Sequence, residues 1–294
     1  MHVGVIRVGV AGWDYRDWEG IVYPSRSPRS FDRLAFLAGF VDVVEINSSF
    51  YRPLEPRVAQ SWVRRVRGRP DFRLTAKAHR SWTHEPEAGG GAAVSETLRG
   101  LAPLRDAGLL GAILVQFPQS FHCTPRAFER LARLLDPLTG WPLVVEVRHA
   151  SWDQDRAAAW FRERALGWCV VDQPAVGRST APARPRATSQ LGYVRLHGRN
   201  AANWFREDAG RDARYDYLYS AEELEPLAET CRALAREARE VFVIQNNHFR
   251  GKALVNALQL KHLLGERRPP APATLVAEYP DLAGLVGTEP ERLF

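Results

Sequence analysis

At 294 residues, with 45% hydrophobic and 25% charged side chains, the chain has an ordinary globular composition and room for one large α/β domain or two small ones. No apolar run reaches the roughly 18 residues of a membrane span, and no secretory leader is legible at the amino terminus. Cys123, Cys169 and Cys231 are too few and too far apart for a disulfide framework or a zinc finger, so a cytoplasmic setting is expected.

The net charge of +6 invites a nucleic-acid partner, but 37 arginines stand against only three lysines (Lys77, Lys252 and Lys261). That skew looks like coding bias. Many of the arginines, such as Arg57, Arg64, Arg65, Arg67 and Arg69, lie along a predicted helix, where a solvated face explains them. Nucleic acid therefore stays an alternative partner, and the charge alone does not decide it.

In chain order, residues 3–13 read as a first strand, followed by an aromatic loop and a helix capped by Ser30. Residues 41–47 give a second strand and 56–67 a helix. Residues 72–78 give a third strand, followed by a Gly-rich loop at 89–91 and a helix near 92–107. The fourth strand is 111–117, with Thr124 as cap of the next helix. The fifth is 142–149, after which Ser151 or Asp153 opens a helix. The sixth is 167–172, but 173–190 is rich in Pro, Ala, Arg and Ser and reads as a loop where a helix would be expected. The seventh is 191–198, followed by a long polar loop and then Ser220 and Glu223 as a capping box. The eighth is 241–247, with a last helix over 251–264. A Pro-rich linker at 266–272 and a short tail follow.

Eight short strands that nearly always alternate with helices imply a parallel sheet and, by their number, a closed (β/α)8 TIM-like barrel over residues 1–265, with 266–294 packing outside. An open doubly wound sheet would normally show a Gly-rich turn after its first strand, and A-G-W-D-Y is not G-x-G-x-x-G.

Barrel enzymes place their sites at the C-terminal ends of the strands. Alternation predicts that Ala11 and Trp13, Glu45 and Asn47, Thr75 and Lys77, Gln116, Glu146 and Arg148, Asp172, Arg195 and His197, and Gln245 and Asn247 face inward there. A core does not need so many buried polar groups, whereas a ligand site does. Glu45 and Glu146 lie three strands apart and could face each other as acid and base. Lys77 could act as base or Schiff-base nucleophile, or merely as a counter-ion to Glu45. His197 suits proton transfer, and His149 suits hydrogen bonding. Arg148, Arg195 and Arg199 can grip an anion. Aromatic side chains in the loops, among them Trp13, Tyr15, Tyr51 and Tyr217, suit a ring-bearing ligand, with Asn47, Gln116, Asp172 and Asn247 completing a polar floor.

Glu45, Glu146, Asp172, His84, His149 and His197 would also suffice for a divalent metal. No H-x-H or H-E-x-x-H spacing occurs, however, and cations crowd the same mouth, so no cofactor is expected and a metal is the alternative.

The chain resembles the YecE-like family, catalogued as a domain of unknown function. The resemblance rests on A-G-W-D-Y-R-D-W-E-G, V-E-I-N-S-S-F-Y, the Lys77 strand with Thr83–His84, Q-F-P, V-E-V-R-H-A-S-W, V-R-L-H-G-R-N, R-Y-D-Y-L-Y-S and Q-N-N-H, spread over residues 5 to about 265. Two departures are Gln245, where an aromatic residue is common, and Ala11, where Ser is common. The resemblance implies a TIM-barrel-like fold with Glu45, Asn47, Lys77, Glu146, Arg148, His149, Arg195, His197 and Asn247 at a polar pocket, and no settled reaction.

Together these readings point to an enzyme of hydrolase or lyase type acting on a small anionic substrate, phosphorylated or nucleotide-like. The alternatives are a metal-dependent phosphodiesterase or nuclease, and a non-catalytic nucleic-acid or ligand binder.

Overall fold

Each of the eight apolar runs forms a strand, and all eight pair in parallel and in sequence order to close a barrel. The computed structural model describes residues 3–84, 91–175, 180, 183–204, 206 and 211–287. The strands are β1 (Val5–Ala11), β2 (Val43–Ile46), β3 (Arg73–Lys77), β4 (Leu110–Gln116), β5 (Leu143–Glu146), β6 (Gly167–Asp172), β7 (Leu191–Leu196) and β8 (Glu240–Gln245). Closure comes from β1 pairing on both sides, Ala11 opposite Glu45 of β2 and Val5 opposite Glu240 of β8.

The surrounding helices are α1 (Arg33–Leu37), α2 (Pro56–Arg65), α3 (Gly91–Asp106), α4 (Pro125–Leu135), α5 (Asp155–Glu163), α6 (Ala201–Trp204), α7 (Arg211–Arg214), α8 (Ala221–Ala235), α9 (Lys252–Leu263) and α10 (Ala273–Glu278). Thr124 caps α4 as expected, and Ser220 with Glu223 forms the reciprocal box on α8. Ser30 does not cap α1. Asp32 does, its Oδ1 accepting from the backbone of Leu34 and Ala35 at 3.1 Å each, and a carboxylate suits a helix N-terminus. Gln154, not Ser151 or Asp153, precedes α5.

The strands divide the apolar residues into two sets. Ala11, Val43, Ala112, Leu114, Val144, Cys169, Val171, Tyr193, Phe242 and Ile244 fill the barrel interior. The opposite faces, with Val44, Ile46, Val145, Val147, Val194 and Leu196, join the helices in the outer core. Gly111 makes room in the interior, where a Cβ would come within 2.4 Å of the Phe242 ring.

Among the described residues between β6 and β7 no helix forms. Part of that stretch (176–179 and 181–182) lies outside the described residues, as does the expected Gly-rich loop apart from Gly91, which opens α3. Arg186 bonds Asp153 at 2.5 Å and Thr188 donates to the Leu166 carbonyl at 2.6 Å, so side-chain bonds tie down a segment that no helix holds. Near the C-terminus, Leu275, Leu282 and Val286 are buried in the outer core.

Candidate active site at the barrel mouth

A strand that is apolar along most of its length and polar at its end must satisfy those last groups within the barrel or offer them to a ligand. Both outcomes occur here, in layers. The lower layer is a closed ion-pair network centred on Arg195 of β7, which is 1% exposed. Its Nη2 donates to Glu45 Oε1 at 2.7 Å and its Nε to Oε2 at 3.1 Å, while Nη1 donates to Glu146 Oε2 at 2.8 Å. Arg148 reaches Glu146 from above, Nε to Oε1 at 2.6 Å. Tyr193 donates its hydroxyl to Glu45 Oε2 at 2.8 Å, so the Thr75 hydroxyl 2.9 Å away must donate to Tyr193. Burial alone would raise the Glu146 carboxyl, but Arg148 and Arg195 outweigh it and hold the group well below the usual carboxylate range.

His197 sits on top of this network. Its Nε2 faces Arg195 Nη1 at 3.3 Å and Arg148 Nη2 at 3.4 Å. A guanidinium only donates, so Nε2 accepts and Nδ1 bears the proton; the Asn246 atom placed 2.8 Å from Nδ1 is the amide nitrogen Nδ2, so the amide has to be turned over for its oxygen to accept there. Burial, reinforced by Arg195 and Arg148, keeps the ring neutral by lowering its pKa well below the ordinary value. The lone pair of His197 is therefore already committed.

The upper layer is open. A cavity of about 540 Å³ occupies the mouth. Lys77, from the end of β3, enters it, and its Nζ makes no hydrogen bond or ion pair with the described residues. Its Nζ lies over the Phe50 ring at 4.2 Å, and Ser49 anchors its backbone by donating to the Lys77 carbonyl at 2.7 Å. Burial, followed by the charge of Arg195, lowers its pKa to about 8, although Glu45 and Glu146 pull the other way. Arg80 and Arg148 also line the cavity. Among the described residues the one lining carboxylate, Asp14, turns outward to Arg33 with its side chain 78% exposed.

Aromatic groups form the walls. Tyr15 stacks on His248 at 4.3 Å and donates its hydroxyl to the Ala11 carbonyl at 2.6 Å. Trp13 packs edge-on against Trp62 at 5.2 Å. Gly12, at φ +77°, allows the turn that leaves β1 just before Trp13, and a Cβ there would meet the Tyr15 hydroxyl at 2.6 Å. Tyr51 stands on the rim, 69% exposed.

Of the residues expected at the site, Trp13, Tyr15, Asn47, Tyr51, Lys77, Gln116, Arg148, Arg195 and His197 line the cavity. Glu45 and Glu146 lie beneath it, fully buried. The inward assignment of Asp172, Gln245 and Asn247 is corrected. In β6 the inward residues are Cys169 and Val171, and in β8 they are Phe242 and Ile244, so Asp172, Gln245 and Asn247 face the helices. Placing the alternation one residue out of phase moves every side chain to the other face.

Asp172, Arg199, Tyr217 and Asn247 lie outside the cavity lining, in a second polar cluster behind β7 and β8. Arg199 Nη2 bonds Asp172 Oδ1 at 2.9 Å, Tyr219 donates to Asp172 Oδ2 at 2.6 Å, Tyr217 donates to Glu223 at 2.7 Å, and Asn247 bonds Asn256 at 2.8 Å. His149 is also outside the lining. Its Nδ1 accepts from the Ser151 backbone at 3.1 Å, as His79 Nδ1 does from Ser81 at 3.3 Å, so a shared H-x-S-W turn follows β3 and β5.

Arg80, Ser48, Asn246, His248 and Gly12 also line the cavity, although none of them is an inward strand-end position in the predicted alternation. Asn246 and His248 would have followed from the correct phase in β8, since both continue the inward set Phe242 and Ile244. Among the described residues no group of three His, Cys, Asp or Glu side chains gathers in a set that could hold a metal ion.

Fold and site together define the class: a closed (β/α)8 barrel with a cation-rich, aromatic-walled pocket at the C-terminal ends of its strands. Residues 7–278 match the family described as "Protein of unknown function DUF72", and the chain belongs to that family. The YecE-like resemblance fits it. The UPF0759 protein YunF of Bacillus subtilis (strain 168) is 29% identical over 274 residues, covering 88% of this chain and 95% of that protein. A DUF72 family crystal structure from Thermotoga maritima MSB8 superposes with a TM-score of 0.76 at 34% identity, covering 89% of this chain and 99% of the other. One from Enterococcus faecalis V583 gives 0.78 at 28% identity, covering 88% and 95%. Among the described residues no helix is long and apolar enough to cross a membrane.

Proposed function

We propose that this chain is an enzyme of hydrolase or lyase type that takes a small anionic substrate at the barrel mouth, with Lys77 as the proton-transfer or nucleophilic group. One observation supports this above the others: Lys77 opens into the cavity without a counter-ion among the described residues, while the two carboxylates beneath it are already engaged by Arg195 and Arg148. The lining therefore offers uncompensated positive charge, which a phosphate or carboxylate group would neutralise. Arg148 Nη1 has no hydrogen-bond partner among the described residues and is positioned as the anion grip. Arg195 serves instead to position the network. The carboxylates set the local potential, and the free, buried thiols of Cys123, Cys169 and Cys231 agree with a cytoplasmic setting.

The test is calorimetric binding of inorganic phosphate and a panel of phosphate esters and carboxylates, followed by turnover assays on the compounds that bind. Affinity is expected to fall about tenfold in Arg148→Gln and with added salt, and turnover to vanish in Lys77→Met. Equal binding of neutral analogues, or turnover that survives Lys77→Met, would overturn the proposal.

A further inference from the structure

The three lysines of this chain stand in unlike surroundings. Lys252 pairs with Asp216, and Lys261, 6% exposed, pairs with Asp42 at 2.9 Å and Glu266 at 3.1 Å. Lys77 alone has no ion pair among the described residues, and of the three it alone lines the cavity at the barrel mouth. Its Nζ lies over a ring face, which accepts no conventional hydrogen bond from it and leaves the nitrogen accessible on the cavity side. An ammonium serving only to balance charge would sit on a carboxylate, as the other two do. An amine meant to form a bond to carbon needs the arrangement found at Lys77.

We infer that the substrate of this site is an aldehyde or ketone bearing a carboxylate or phosphate, and that Lys77 Nζ captures its carbonyl carbon as a protonated imine. This deepens the anionic-substrate reading above and rests on it. In the step, the Lys77 nitrogen adds to the carbonyl carbon to give a carbinolamine, and the carbonyl oxygen then leaves as water. Overall, ammonium and carbonyl give protonated imine plus one water: the C=O double bond and two N–H bonds break, a C=N double bond and two O–H bonds form, and no oxidant or reductant takes part.

The surroundings suit each part of that step. Arg148 and Arg80 line the same cavity and can hold the anionic group. His84, edge-on to the same Phe50 ring at 5.3 Å, is held neutral by burial and by the charge of Lys77. It can pass the proton that the departing oxygen requires. With its pKa near 8, about a tenth of Lys77 is a free amine at neutral pH, enough to react.

The experiment treats the full-length protein with sodium cyanoborohydride and, separately, pyruvate, dihydroxyacetone phosphate or the neutral ketone hydroxyacetone. Intact mass and peptide mapping then locate any secondary amine. The expected result is one adduct per chain on Lys77, with Lys252 and Lys261 unmodified. An anionic probe should outpace hydroxyacetone by about tenfold, phosphate should protect, and Lys77→Arg should leave no adduct. Preference between pyruvate and dihydroxyacetone phosphate assigns the anion as carboxylate or phosphate.

Phosphate binding is measured on the same preparation. If phosphate binds through Arg148 and Lys77 stays unlabelled, the imine is refuted and the anionic reading stands. If phosphate does not bind, the anionic reading fails as well. Equal labelling by the neutral ketone, or labelling spread over all three lysines, refutes the substrate class. The wild-type labelling decides these outcomes even if a variant fails to fold.

Discussion

Replacing Arg195 by Met tests whether the lower layer is the closed network described above. Arg195 is the ion-pair partner of Glu45, whose remaining side-chain bond is from Tyr193, and it shares Glu146 with Arg148. Met roughly fills the volume but strands the Glu45 carboxylate in a site with no exposure. Removing one partner of a buried pair costs about 3–5 kcal/mol, and because Glu146 keeps Arg148 the cost here should fall near the lower end, about 3 kcal/mol. Against a typical stability of about 5–15 kcal/mol, such a loss is large and measurable by equilibrium urea unfolding at pH 7.

Two further results bear on the same reasoning. Adding Glu45→Gln to Arg195→Met removes the stranded charge and should recover about half of the loss or more. Acidification should narrow the gap between variant and wild type. The folded-state pKa of Glu146 is depressed by Arg148 and Arg195, so its contribution to the wild type is present above the unfolded carboxylate pKa and is lost as pH falls through the folded value; in the variant only Arg148 remains to hold it, so less is lost. A loss below about 1 kcal/mol, a strictly additive double substitution, or a gap that widens in acid would refute the network as the origin of the stability.

Lys77→Met should stabilise the fold by about 1–3 kcal/mol at pH 7, because the fold disfavours the ammonium. The unfolded lysine binds its proton up to pH 10.5 and the folded one only to about 8, so wild-type stability rises across that window and unfolding at pH 9.5 should show a smaller difference than at pH 7. His149→Ala removes the acceptor of the Ser151 backbone bond and should cost about 1 kcal/mol in urea, with phosphate affinity changed by less than about twofold. Asp172→Asn breaks a carboxylate held by Arg199 and Tyr219 and should cost about 2 kcal/mol, again leaving phosphate affinity nearly unchanged by calorimetry.

The barrel was legible because its signal repeats: eight apolar runs at regular intervals leave few alternatives, and the turn chemistry of Thr124 and Ser220 marks helix starts locally. The site was legible only as far as the strand phase. Glu45 and Glu146 each follow a Val-Val pair, and Arg195 follows Tyr193-Val194, but an apolar run has no face of its own. In β6 and β8 both faces are apolar, Cys169 and Val171 against Val170, and Phe242 and Ile244 against Val241 and Val243. Nothing in those runs says which set turns inward, and the polar residue at the end then takes either face. The expected inward placement of Asp172, Gln245 and Asn247 follows from that ambiguity. Arg80, from the turn after β3, was beyond reach for another reason: alternation stops where the strand stops.

The same ambiguity concerns charge. From sequence, Glu45, Glu146, Lys77, Arg148 and Arg195 are a group of interchangeable partners, and any carboxylate could be an acid, a base or a counter-ion. Geometry removes the interchangeability. Once Arg195 spans both carboxylates and Arg148 covers one of them, the positive charge left over resides on Lys77, the one member of the group that rests on no oxygen of the described residues. A neutral His197 adds nothing to offset it, and the guanidinium of Arg195 beneath makes a second cation there less favourable. The lysine can relieve that repulsion in two ways, by shedding its proton or by drawing an anion into the cavity. A substrate that brings both an anionic group and a carbonyl carbon supplies the counter-charge and meets the freed amine in one binding event.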